Sequence, residues 1–147
     1  MTATFHQFQA EQGARNTIEL NVTKWSLMLI DALKDNFREF SIRGHQHSIE
    51  RGDSLEYHLS EQKLLEANIL PIDYIIESGR KYHKIILIDG GGSRSVSCFV
   101  DKKTGEIYKA ASFRAPAKHV RYDFRIIEQR EWVLANADWA GGWLYLR

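Results

Sequence analysis

With 147 residues the chain fits one domain, and 44% hydrophobic with 27% charged residues is the composition of a folded chain, which excludes a disordered tail. The formal charge of +1 hides two opposed segments: eight Lys or Arg against three Asp or Glu from Arg94 to Arg125, a local +5, and seven acids against two bases from Ser48 to Ser78, a local −5. No apolar run reaches the roughly 18 residues a membrane helix needs, and MTATFHQFQAEQ lacks the basic start and apolar middle of a secretory signal, so a cytoplasmic chain is expected.

The lone Cys98 forms no intramolecular disulfide, in keeping with a reducing compartment. Residues 1–15 carry no clear pattern and are set down as a candidate disordered start to the single domain 1–147. From Asn21 to Phe40 apolar residues recur at Trp25, Leu29, Leu33, Phe37 and Phe40, one face of an amphipathic helix that Gly44 is expected to end. The stretch 41–68 supports two readings. Alternation in SLEYHL suits a strand with Leu55, Tyr57 and Leu59 inward, whereas Asp53 with Glu56 three residues on resembles a capping box and suits a helix. Arg51-Gly52-Asp53 reads as a turn.

Beyond Pro71 the pattern changes to PIDYIIE, KYHKIILID, SVSCFVD and EIYKAA, short strands joined by glycine-bearing connections, hence an antiparallel meander. Gly105 is suited to the positive φ that the Lys-Lys-Thr-Gly turn requires. Pro116 ends the ladder for want of an N–H. A helix around Glu128 to Ala137 and a last short strand in WLYLR complete the expectation. The fold class is α+β, a single domain with an antiparallel β-meander packed against an N-terminal amphipathic helix and a short C-terminal helix.

No catalytic signature is complete. His45 and His47, two apart, would share a strand face, yet a structural zinc site needs four ligands and the other histidines are scattered, so no metal is assigned. Cys98 sits between apolar neighbours as a buried small hydrophobe; no catalytic residue and no cofactor follow. Gly90 to Ser95 fails the phosphate-loop pattern, which needs a lysine after the last glycine and a following helix, and leaves a hairpin loop with Arg94 as a candidate anion contact.

The strongest candidate is the segment after the last hairpin, where Lys109, Arg114, Lys118, His119, Arg121 and Arg125 are interleaved with Phe113, Tyr122 and Phe124. Cations supply phosphate contacts and rings supply stacking surfaces for bases. The expected ligand-binding set is Arg94, Lys109, Phe113, Arg114, Lys118, His119, Arg121 and Tyr122, facing a nucleotide or nucleic acid. The alternative partner is a host defence protein met by the acidic segment 48–78. Exposed aromatics and an antiparallel edge also admit a homo-oligomer; no membrane partner is expected.

The run GSRSVSCFVDKKTGEIYKAASFRAPAKHVRYDF, with the ending ADWAGGWLYLR, resembles a group of small bacteriophage-encoded proteins, over roughly Gly79 to Arg147. The Lys-Thr-Gly hairpin followed by Ala-Pro-Ala-Lys is the most specific part, and the proteins it resembles often have Trp at the position of Phe113, which keeps an aromatic. The resemblance implies a product acting in the cytoplasm of an infected bacterium by binding, without enzymatic activity: an inhibitor of host defence, a sponge for nucleotide signals or a nucleic-acid binder.

Overall fold

The computed structural model describes residues 5–145. It is an α+β domain: helix α1 (Phe5–Glu50), helix α2 (Leu55–Glu66), strands β1 (Asp73–Ser78), β2 (Tyr82–Ile88), β3 (Arg94–Asp101), β4 (Glu106–Lys109) and β5 (Tyr122–Asp123), helix α3 (Ile127–Asn136), and a 3-10 turn at Gly142–Leu144. The expected meander is present, with the five strands antiparallel in chain order. No helix among the described residues is long and apolar enough to cross a membrane. Of the stretch 1–15, residues 1–4 lie outside the described residues and 5–15 belong to α1.

The apolar stripe is the central part of a much longer helix. Val22, Leu29 and Leu33 are fully buried, Ser26 between them returns its hydroxyl to Val22 O at 2.8 Å, and Phe37 and Phe40 flank the Trp139 ring. Gly44 does not end α1. Glycine inside a helix costs about 1 kcal/mol relative to alanine, and the packing of α2 against the last turns offsets it: Gln62 Nε2 donates to Ile42 O at 3.3 Å and to Gln46 Oε1 at 3.1 Å.

The strand reading of SLEYHL is overturned. The segment is helical, Leu55, Tyr57 and Leu59 are exposed, and Gln62 and Leu65 turn inward. The capping-box reading also fails at its detail, since Ser54 occupies the cap with no side-chain cap hydrogen bond. Arg51-Gly52-Asp53 is the turn between α1 and α2, with Gly52 at φ +87° and an Arg51–Asp53 ion pair of 2.8 Å. Asp73 pairs with Lys34 at 2.9 Å and Glu77 with Arg94 at 2.8 Å. Three of the seven acids of 48–78 are thus neutralised, which divides the acidic segment.

The sheet face toward α1 carries Tyr74, Ile85, Cys98, Val100, Ile107 and Phe124, and these join Val133 of α3 with Trp143 and Leu144 in one core. A bulge between Ile85 and Ile86, paired to Cys98 and Val96, leaves Ser97 without a paired partner in the β2–β3 register. Pro116 does not end the ladder outright. It makes an isolated bridge with Ala110, and the chain rejoins the sheet at β5, where Tyr122 and Asp123 pair with Ile107 and Glu106. Where a last strand was expected, Trp143 and Leu144 form the 3-10 turn, and residues 146–147 lie outside the described residues.

Candidate functional site

The segment from Ala110 to Arg121 is shaped by its own side chains. Ser112 Oγ accepts from Arg114 N at 3.3 Å and Ala115 N at 3.2 Å, closing a turn that carries Phe113. The Lys84 ammonium lies 4.7 Å from the Phe113 ring centroid, a cation–π contact. Further along, the Arg121 guanidinium donates to Lys118 O at 2.8 Å, His119 O at 2.7 Å and Leu144 O at 2.7 Å. This clamp fixes His119 at φ +73°, a conformation non-glycine residues rarely adopt. Arg121 therefore ties the loop to the C-terminal turn, with its donors directed at carbonyls.

Tyr122 is likewise internal. Its ring stacks between Trp132 (4.9 Å) and Trp143 (5.8 Å), and its hydroxyl donates to Trp143 O at 2.9 Å. Arg94 is held by Glu77, and the amides of the adjoining glycine loop are taken by the chain's own carboxylate, with Asp89 Oδ1 accepting from Gly91 N at 2.9 Å and Ser93 N at 3.0 Å. Arg114, Lys118 and His119 are exposed and make no ion pair among the described residues. The expected set is thus divided between two sheet faces. Lys84 pairs through Phe99 to Tyr108, whereas Lys109 pairs with Cys98 and projects from the core-facing side, because side chains alternate along a strand.

On that side Lys109 borders a cavity of about 350 Å³ between β3, β4 and the turn from Asp138 to Tyr145. Trp139, Trp143 and Tyr145 supply aromatic walls, and Ser95 and Ser97 supply hydroxyls. The Lys109 ammonium stands 4.9 Å from the Tyr145 ring centroid and has no carboxylate partner among the described residues. Asp138 also lines the cavity, but its two oxygens accept from Gly142 N at 3.2 Å and Trp143 N at 3.1 Å, which offsets its charge. The Tyr74 hydroxyl is buried with no hydrogen-bond partner among the described residues. Burial pushes that phenol up to about 12, against the opposing influence of the nearby Ser97 hydroxyl. Sequence reading missed this cavity, whose aromatic wall begins 30 residues beyond Lys109.

Two histidine contacts were also missed. His83 is buried, with Ser78 Oγ 2.6 Å from Nδ1 and Thr23 Oγ1 3.2 Å from Nε2. Thr23 spends its single proton on Glu19 O at 3.0 Å, so it accepts from His83 Nε2–H, which leaves Nδ1 bare to accept from Ser78. Burial, reinforced by Lys102, lowers the His83 pKa and so favours the neutral ring. The chain of contacts ties α1 to the β1–β2 hairpin. His45 does not pair with His47, since positions two apart on a helix diverge; its Nδ1 lies 2.7 Å from His58 Nδ1.

Cys98 is fully buried and its thiol is pushed up to about 12, the reverse of an activated nucleophile. Among the described residues no group of three or more His, Cys, Asp or Glu side chains converges on a metal site.

A family model described as "Family of unknown function (DUF7717)" matches residues 5–146. No curated protein and no solved structure matches the chain.

Proposed function

We propose, for a chain that belongs to the DUF7717 family, a binding role in which the cavity beside Lys109 takes a small phosphate-bearing ligand of the nucleotide class. The observation that carries the reading is the Lys109 ammonium, unpaired by any carboxylate among the described residues, at a cavity with aromatic walls. Its volume of about 350 Å³ falls at the lower end of small-ligand sites, which favours a mononucleotide or short signal nucleotide over a strand. In this reading Lys109 meets phosphate, Ser95 and Ser97 offer hydroxyls, and Trp139 or Tyr145 stacks on the base.

The resemblance of the run around Phe99 to Phe124 to phage proteins supports action inside an infected bacterium, where capture of a signal nucleotide counters host defence. Arg121 and Tyr122 hold the turn that forms the cavity wall, and Phe113 lies on the other sheet face. Replacing Lys109 by alanine removes a charge-assisted contact worth about 1.5–3 kcal/mol, so the dissociation constant rises about 10- to 100-fold. Isothermal titration with a nucleotide panel measures it; K109A binding as tightly as wild type defeats the assignment.

A further inference from the structure

We propose that His45 and His58 form a two-histidine chelate for a late first-row divalent metal ion, copper(II) or nickel(II) ahead of zinc(II), cross-linking α1 and α2. Helical spacing puts Ile42, His45 and Gln46 on one face of α1, and His58, Gln62 and Leu65 on one face of α2. The Gln62 bonds to Ile42 and Gln46 fix the two faces against each other. They bring the Nδ1 atoms to 2.7 Å, with ring centroids 5.0 Å apart and planes at 51°. Both rings are half-buried, so a hydrated ion reaches them, and the Tyr57 ring flanks both.

Without metal, one Nδ1–H donates to the other ring's lone pair. An ion bound to both Nδ1 atoms takes the place of that proton, which moves to Nε2 of the donor ring. The rings turn from facing each other until both lone pairs meet at one ion about 2.0–2.1 Å from each nitrogen. Copper(II) and nickel(II) favour tetragonal nitrogen sites, and copper(II) binds a given nitrogen site more tightly than zinc(II). Among the described residues no third His, Cys, Asp or Glu joins, so water completes the sphere.

The test is a thermal-melt series on the untagged full chain with Cu²⁺, Ni²⁺ or Zn²⁺, for wild type, H45Q, H58Q and the control H47Q. Binding to the folded state raises the midpoint with ion concentration. The proposal expects a rise in wild type and H47Q, larger with Cu²⁺ and Ni²⁺ than with Zn²⁺, and none in H45Q or H58Q. No rise in wild type, an equal rise in H45Q and H58Q, or a dominant Zn²⁺ effect overturns it. Electron paramagnetic resonance of wild type with one equivalent of Cu²⁺ reads the ligands without any variant; a spectrum lacking two coordinated imidazole nitrogens overturns the proposal as well.

Discussion

Gly105 meets two demands at once. Its φ of +77° lies where side chains are strained, and a Cβ there would stand in van der Waals contact, at 3.4 Å, with both Val22 Cγ2 and Phe124 Cβ in the core. The turn is closed from the other side by Asp101, whose Oδ1 accepts from Lys103 N at 2.9 Å and Thr104 N at 3.1 Å. Gly105→Ala is expected to cost about 1–3 kcal/mol in urea unfolding, from the strained backbone conformation. The need for glycine was legible in the sequence; the second demand was not, because it depends on α1 passing over the turn. His83 gives a pH dependence at the same scale. Its pKa is lowered in the fold, so below about pH 6.5 the unfolded chain binds more protons. The stability this neutral histidine contributes is therefore present above that range and is lost as pH falls through the lowered folded value. Unfolding curves at about pH 5 and about pH 8 should differ less for H83Q than for wild type.

At the scale of elements, α1 teaches where periodicity stops informing. Its buried stripe is confined to the part that crosses the sheet, while beyond Phe40 the helix is held by α2 through polar contacts, which no apolar spacing announces. Gly44 was a reasonable stop signal that tertiary packing overrode. An added Cβ at Gly44 meets nothing within 4 Å, so Gly44→Ala should stabilise the fold by about 0.5–1 kcal/mol, read as a higher denaturation midpoint. The four strands of the expected meander correspond to β1–β4, because alternating apolar residues between glycine turns leave few other solutions, whereas the strand expected in WLYLR is a 3-10 turn. β5 escaped notice since only Tyr122 and Asp123 pair, and their pairing rests on the Arg121 clamp and the Gly105 turn, where Phe124 N donates to Gly105 O at 2.9 Å. SLEYHL misled for the opposite reason, as its alternating apolar residues end up exposed.

For the whole molecule, the two-sided charge resolves into local pairings and an unpaired remainder on each side. Three of the seven acids of 48–78, Asp53, Asp73 and Glu77, meet Arg51, Lys34 and Arg94, and within the basic segment Arg121 is spent on carbonyls and Arg125 on Asp123 at 3.2 Å. A count of cations along the chain pointed to this segment, but it had no means of telling which would be consumed by the fold. Lys109 is set apart by strand alternation, which turns it toward the cavity while Phe113 and Lys84 occupy the other face. The central claim is that a nucleotide-class ligand binds beside Lys109. Titration of a panel of mono- and dinucleotides, linear and cyclic, into wild type, K109A and R114A measures this directly: the account predicts a ligand whose affinity falls about 10- to 100-fold in K109A and holds in R114A. A panel without any bound nucleotide, or a bound one whose affinity drops in R114A and not in K109A, would contradict it.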